Sequence, residues 1–173
     1  MKDLSLHILD IVENSIQAGA KRVKIRITEE LKQDLFLIEI EDDGQGIKEE
    51  VLQQVFDPFF TTKNKKVGLG LPLFAQAAKE AEGRLVVDSK INKGTKITAI
   101  FKYSHLDRKP LGDMAETMIV LIAGHPEVDF LYEHKKGRWK YSLDTAKIKV
   151  GLEGVPINYP EVIKIIQNDI KEG

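Results

Sequence analysis

Apolar residues recur at helical spacing at the start of the chain. Leu4, Ile8, Ile11, Val12, Ser15 and Ile16 fall on one side of a helix over 3–18, with Gly19 available as its stop. The pattern then shortens to a two-residue period. RVKIRIT (22–28) and LFLIEIE (35–41) read as strands joined by a charged bend at 29–34. A short helix follows at 48–56, and then FFTTKNKKVGLG, which has little periodicity. A second long helix fits 71–82, with Pro72 in its first turn and Gly83 at its end. LVVDS and KITAIFKY form two further strands around a turn at Asn92–Gly94. The polar stretch SHLDRKPLGD marks a boundary, dividing the chain into 1–104 and 105–173. Beyond it the pattern predicts a helix at 113–123, closed by Gly124 and Pro126. A hairpin VDFLYEH/RWKYSLD follows around KKGR, with Trp139, Tyr141 and Leu143 on one face, then an amphipathic helix at 160–171. About 70 residues is marginal for an independent core, so this segment is expected to pack on the first.

Composition narrows the class. Of 173 residues, 42% are apolar and 31% charged, which suits a globular core. Lys+Arg is 26 and Asp+Glu is 27, divided 16 against 16 up to residue 104 and 10 against 11 after it. Neither part has the one-sided charge that nucleic acid or an anionic membrane selects, so neither is expected as a partner. Cysteine is absent, which removes disulfides, thiolate metal sites, iron–sulfur clusters and cysteine nucleophiles together. The longest wholly apolar run, 118–124, has seven residues and is too short to span a bilayer. Asp3, His7 and Asp10 interrupt the opening residues, so no signal peptide is expected, and the chain reads as soluble and cytoplasmic.

Three stretches carry candidate chemistry. On the first helix His7, Asp10, Glu13, Asn14 and Gln17 share one polar sector; Asp10 and Asn14, four apart, sit one above the other. A carboxylate beside an amide oxygen suits a magnesium ion's water shell or a polarised water, and equally suits a face turned to solvent. In EIEDDGQGI a strand runs into Asp42, Asp43, Gly44 and Gly46, where glycines permit close backbone approach to a planar ligand and a carboxylate can accept from an exocyclic amine. Asp-Gly pairs also mark ordinary turns. In KNKKVGLGLPL, Gly68 and Gly70 precede a helix whose first N–H groups form an anion seat, beside Lys63, Lys65 and Lys66. His105 and His134 read as surface residues, His125 as a loop residue after a helix end, and His7 as bordering the site or the surface; these scattered histidines do not suggest a metal centre.

Taken in order, DIVENSIQAGA (10–20), EDDGQGI (41–47), FDPFFTTK (56–63), VGLGL (67–71) and NKGTKITAIF (92–101) resemble the motif set of the ATP-binding (Bergerat, or GHKL) fold shared by DNA gyrase, the heat-shock chaperone, the mismatch-repair ATPase and sensor histidine kinases. The likeness covers residues 3 to about 103, and FDPFFTTK with GLGL is most similar to the histidine kinase branch. It implies an α/β (α+β) two-layer sandwich, with a mixed, mostly antiparallel sheet and helices on one face, plus a small α+β extension. It also implies ATP and Mg²⁺ as ligands. Asn14 would hold Mg²⁺ and Asp42 would accept from the adenine amine. Gly44, Gly46 and Ile47 would shape the ring site, with Thr95 near the base and Gln17 on the same helix face. Phe56, Phe59, Thr62 and Lys63 would begin a lid, and Gly68, Leu69, Gly70 and Leu71 would offer N–H groups to the phosphates.

Two departures stand out. The hydrolysing branches carry a glutamate base four residues before the asparagine; here it is Asp10, one methylene shorter, with Glu13 the other nearby carboxylate. A glycine usual in the lid is Lys66. No phospho-accepting hairpin is expected ahead of the motifs. The resemblance therefore implies a stand-alone kinase-type module that phosphorylates a separate protein partner in signal transduction. A slow ATPase acting as a nucleotide-gated switch and a non-catalytic ATP-binding regulator remain as alternatives.

Overall fold

The computed structural model describes residues 2–52 and 70–173. The segment 53–69, with Phe56, Phe59, Thr62, Lys63, Lys65, Lys66, Gly68 and Leu69, lies outside the described residues. In chain order the elements are α1 (Leu4–Gln17), β1 (Arg22–Glu30), β2 (Leu35–Asp42), α2 (Glu49–Leu52), α3 (Gly70–Glu80), β3 (Arg84–Lys90) and β4 (Gly94–Lys102). There follow α4 (Met114–Gly124), β5 (Asp129–Lys136), β6 (Trp139–Asp144), α5 (Thr145–Gly151) and α6 (Pro160–Glu172).

The strand alternation seen in the sequence sets the layers. Val23, Ile25 and Ile27 of β1, Phe36, Ile38 and Ile40 of β2, and Ile97, Ala99 and Phe101 of β4 all point into one core. Register holds them in rows: Ile25 pairs with Ile40 and Ile40 with Ile97, while Ile27 pairs with Ile38 and Ile38 with Ala99. A slip of one residue would turn every one of these side chains to the opposite face. The helices cover that core with their own apolar stripes, Leu4, Ile8, Ile11 and Val12 from α1, Phe74, Ala77 and Ala78 from α3, and Met118, Leu121 and Ile122 from α4. The result is a two-layer sandwich with one six-stranded sheet in the order β3-β4-β2-β1-β5-β6. Its pairs are antiparallel except β1 with β5.

That parallel pair is how residues beyond 105 join the fold. Phe130 lies opposite Val23 and Tyr132 opposite Ile25, so the sheet and its core continue without a break into the C-terminal segment. The aromatic hairpin divides accordingly: Phe130 and Tyr132 are buried in the core, whereas Trp139 is exposed at the sheet edge and donates from Nε1 to the Gly173 carbonyl at 2.8 Å. α5 has no apolar period to announce it; it starts because Asp144 caps the Ala146 N–H at 3.0 Å and because the buried Thr145 hydroxyl accepts from the Phe130 N–H at 2.8 Å.

Two histidines depart from the sequence reading. His134, expected on the surface, is largely covered and its Nε2 lies 2.7 Å from Glu29 Oε2. His7, expected at the site or the surface, is 3% exposed and stacks on Phe74 with centroids 5.5 Å apart. Among the described residues no helix is long and apolar enough to cross a membrane.

Candidate functional site

The DDG sequence at the end of β2 gives its two carboxylates opposite tasks. Asp43 turns back along the chain and accepts from the N–H groups of Lys21 and Arg22 at 2.8 and 2.9 Å, closing the start of β1. Asp42 accepts from the Gly44 N–H at 2.8 Å, and this tight turn holds its carboxylate against the inner side of α1. The chain then runs along the end of β3, tied by the Asn92 N–H to the Gln45 carbonyl at 2.7 Å. Gly46 is required there: its φ is +74°, and a Cβ would come within 2.0 Å of the Lys90 carbonyl oxygen.

These elements line a cleft that is open to solvent on one side. Ile11, Asn14 and Ser15 of α1, with Ala18 just past its end, form one side, and Gln45, Gly46 and Ile47 the rim. Leu71 of α3 closes the top, with Asp42, Thr95 and Ile97 as the sheet wall. A mostly apolar slot with a few convergent polar groups is what a planar heterocycle needs. The register puts Asp42 beside Thr95, and Thr95 beside Ser89, in one row across β2, β4 and β3. Burial pushes the Asp42 carboxyl above the usual carboxylate range. The Gly44 N–H, the Ser15 hydroxyl and the Thr95 N–H pull the other way, and the charge of Asp43 adds to the rise. Ser89 Oγ accepts from the Ile47 N–H at 2.8 Å, donates to the Gly94 carbonyl at 3.0 Å and lies 2.8 Å from Thr95 Oγ1.

The opposite end is built from α1 and α3. A Cβ on Gly70 would sit 3.7 Å from Asn14 Nδ2 and 3.8 Å from Asp10 Cβ, so the first turn of α3 opens directly beside Asn14. Its leading N–H groups have no partner within the helix and attract anions. Asp10 lies one turn before Asn14 and its carboxylate is bound by the Lys2 ammonium. Glu13 is turned around the helix to His125, with Oε2 2.8 Å from Nε2, and thereby ties α1 to the end of α4. Gln17 is exposed, and Gly44 is buried beneath the turn that it forms. Asn14, Asp42, Gly46, Ile47, Leu71 and Thr95 thus meet on one cavity, while Asp10, Glu13 and Gln17 do not line it. Thr62, Lys63, Gly68 and Leu69 fall outside the described residues.

No group of three His, Asp or Glu side chains is placed to hold a metal among the described residues. One amide oxygen at Asn14 fits a Mg²⁺ that keeps several waters and takes its other ligands from bound phosphates. Sequence reasoning missed Ile11, Ser15, Ala18, Gln45 and Ile97 as lining residues, and Ser89 behind them. Ile11, Ser15, Ala18, Gln45 and Ile97 stand inside the quoted motifs, which is their signal, whereas Ser89 on β3 lies outside them and has none.

Comparison with known proteins shows the family and the fold. Residues 2–105 match the family model described as "Histidine kinase-, DNA gyrase B-, and HSP90-like ATPase". Sporulation kinase C of Bacillus subtilis (strain 168) is 34% identical over 87 residues, covering 50% of this chain and 20% of that protein. Signal transduction histidine-protein kinase AtoS of Escherichia coli (strain K12) is 39% identical over 94 residues, covering 54% of this chain and 16% of that protein. The chain therefore spans a fifth or less of the length of these curated kinases. Among solved structures, the Aquifex aeolicus MutL ATPase domain complexed with ADP superposes with a TM-score of 0.53 at 17% identity, over 81% of this chain and 63% of that one. The N-terminal domain of a DNA repair protein gives 0.57 at 15%, over 83% of this chain and 53% of that one. Both likenesses are of fold. Both extend past the 2–105 segment, so part of the C-terminal third belongs to the shared architecture.

Proposed function

Because the chain belongs to the histidine kinase-, DNA gyrase B- and HSP90-like ATPases, we propose that it binds Mg·ATP in this cleft and passes the γ-phosphoryl group to a separate protein. One observation carries the reading. A single cavity joins a half-buried carboxylate, Asp42, to an amide, Asn14, that faces the open first turn of a helix. Base recognition and phosphate recognition thus occupy its two ends. Asp42 accepts from the 6-amino group. Ile47 and Ile97 flank the ring, and Gly46 keeps the rim close to β3. Thr95 completes the polar wall. Asn14 holds Mg²⁺, and Gly70 and Leu71 present backbone N–H groups to the phosphates. By resemblance alone, Thr62 and Lys63 would begin the lid, and Gly68 and Leu69 would offer N–H groups to the phosphates. Mg²⁺, held by Asn14, would supply neutralisation of phosphate charge, and the chain's own residues position the nucleotide and stabilise charge.

The sensor kinases that this chain resembles over half its length support phosphoryl transfer to a partner. So do the two carboxylates that a hydrolase would use: Asp10 is bound by Lys2, and Glu13 is occupied by His125. Asp10 in this reading orients water around the ion. Its place one turn before Asn14 supports a second reading, slow hydrolysis driving a nucleotide-gated switch, which Asp10→Asn separates from the first. With γ-labelled ATP and candidate partners encoded nearby, the expected result is a labelled partner protein, retained in Asp10→Asn. Steady phosphate release with no labelled partner, abolished by Asp10→Asn, would establish the ATPase instead.

A further inference from the structure

Beyond the cleft, the molecule carries a second concave site that nucleotide binding does not use. A shallow groove, open to solvent, runs between the start of α4, the middle of β5 and the last turn of α6. It shares no lining residue with the cleft. Gly112 on its border packs against Ser5 at the start of α1, roughly 13 Å along that helix from Asn14. Hydrogen-bond donors collect here without acceptors. Asp113 caps α4 by accepting from the Glu116 N–H at 2.9 Å, and its carbonyl takes the Thr117 N–H at 3.1 Å. The N–H groups of Met114 and Ala115 are left without a partner among the described residues. Tyr132 forms the floor: the residue is 2% exposed, and its hydroxyl has no hydrogen-bond partner among the described residues. The neighbouring Glu29 carboxylate is turned to others, accepting from the Tyr103 hydroxyl at 3.0 Å and lying 2.7 Å from His134 Nε2. Burial, and then the charge of Glu29, push the Tyr132 pKa above its ordinary range, so the hydroxyl keeps its proton and stays a donor. Lys171, on the last turn of α6, stands at the rim with no ion pair among the described residues.

We propose that this groove binds a small amphiphilic monocarboxylate. Its head group accepts from the Tyr132 hydroxyl and the first N–H groups of α4, and its hydrocarbon lies on Leu111 and Ile170. A buried donor left unpaired is costly, and an acceptor brought by a ligand removes that cost. The α4 N-terminus and the Lys171 ammonium favour negative charge on that acceptor. Asp113 at the cap, Glu29 behind the floor and the C-terminal end of α6 oppose a second negative charge, which selects a single carboxylate over a phosphate dianion. The apolar lining selects a ligand with hydrocarbon to bury. No residue of the nucleotide cleft takes part, so the inference is independent of the function proposed above.

The test is a titration of the isotope-labelled full chain with hexanoate, hexan-1-ol and inorganic phosphate, followed through its amide NMR shifts. Hexanoate carries head and tail, hexanol the tail alone, and phosphate the charge alone. Hexanoate is expected to shift the Met114 and Ala115 amides saturably, with hexanol and phosphate each weaker by about tenfold or more. Tyr132→Phe keeps the ring and loses the hydroxyl, and should weaken hexanoate by about fivefold or more while the rest of the spectrum stays native. Lys171→Gln, an exposed change, should weaken it by less, and the difference should shrink as salt is added. Hexanoate that leaves both amides unmoved overturns the inference. Hexanol binding as tightly as hexanoate reduces the site to an apolar contact, and phosphate binding as tightly reduces it to a helix terminus; either result overturns it as well. So does an unchanged hexanoate affinity in Tyr132→Phe. Should that variant not fold, the comparison of hexanoate with hexanol on the wild type and on Lys171→Gln decides: the preference for hexanoate must fall in the variant, and an unchanged preference refutes the assignment.

Discussion

His7 lies on α1 with both ring nitrogens buried and, among the described residues, without a hydrogen-bond partner. Its pKa is lowered to about 4, first by burial, then by the charges of Lys2 and Lys109, against an opposing pull from Asp10. Phe74, stacked on the ring, offers no polar atom. The fold therefore accepts the neutral imidazole and excludes the cation. In the unfolded chain the group titrates near its ordinary value of 6.5. Between that value and about 4 the unfolded state binds the extra proton, so stability falls as pH is lowered through this window, by up to about 3 kcal/mol in all. His7→Leu should remove that component and gain stability near neutrality by removing two orphaned polar atoms. Urea unfolding of both proteins between about pH 7 and about pH 4.5 checks it: the stability difference must widen toward acid, and parallel profiles would show that His7 is not the titrating group.

Whole elements were the most legible part of the chain. The alternation of β1, β2 and β4 and the apolar stripes of α1 and α3 are strong local periods, and the core follows them. α5 was invisible because a capped, seven-residue helix has too few turns for a period, and its start depends on Thr145 meeting Phe130. The β1–β5 pairing was invisible for another reason: Arg26 and Glu133, bonded at 2.7 Å, are 107 positions apart, and no local pattern names such a partner. The site shows the same division. Motif glycines and carboxylates could be picked out, and the resemblance chose Asp42 over Asp43, but the physical reason, a turn around Gly44 that makes one a cavity wall and the other a strand brace, is visible only in the structure.

Turn geometry also yields a sharp expectation. Gly94 has φ +95°, and a Cβ there would approach the Asp42 carbonyl oxygen to 2.0 Å. Gly94→Ala should cost about 2 kcal/mol or more and loosen the wall beside Thr95. Gly124→Ala, at the end of α4 with nothing within 4 Å of its Cβ position, should change stability by no more than about 1 kcal/mol. Denaturant titration of the pair distinguishes a required conformation from a tolerant one, and equal losses would contradict the assignment.

At the scale of the whole molecule, one buried cluster runs from Leu4 to Ile166 and one sheet from β3 to β6. The cleft depends on both halves. α1 supplies Asn14 and is braced from behind by α4 through the Glu13–His125 pair, while the sheet row of Asp42 and Thr95 is continuous with β1 and, through it, with β5. Binding rests on one contact: the half-buried Asp42 carboxylate, already held by the Gly44 N–H, the Ser15 hydroxyl and the Thr95 N–H, accepts a further hydrogen bond from the amino group of a bound adenine. Isothermal titration of Mg·ATP into the wild type and into Asp42→Ala tests it directly. The expected result is saturable one-to-one binding to the wild type and a loss of at least about tenfold in affinity for the variant, with its fold retained by circular dichroism. Equal affinities for the two proteins would contradict it.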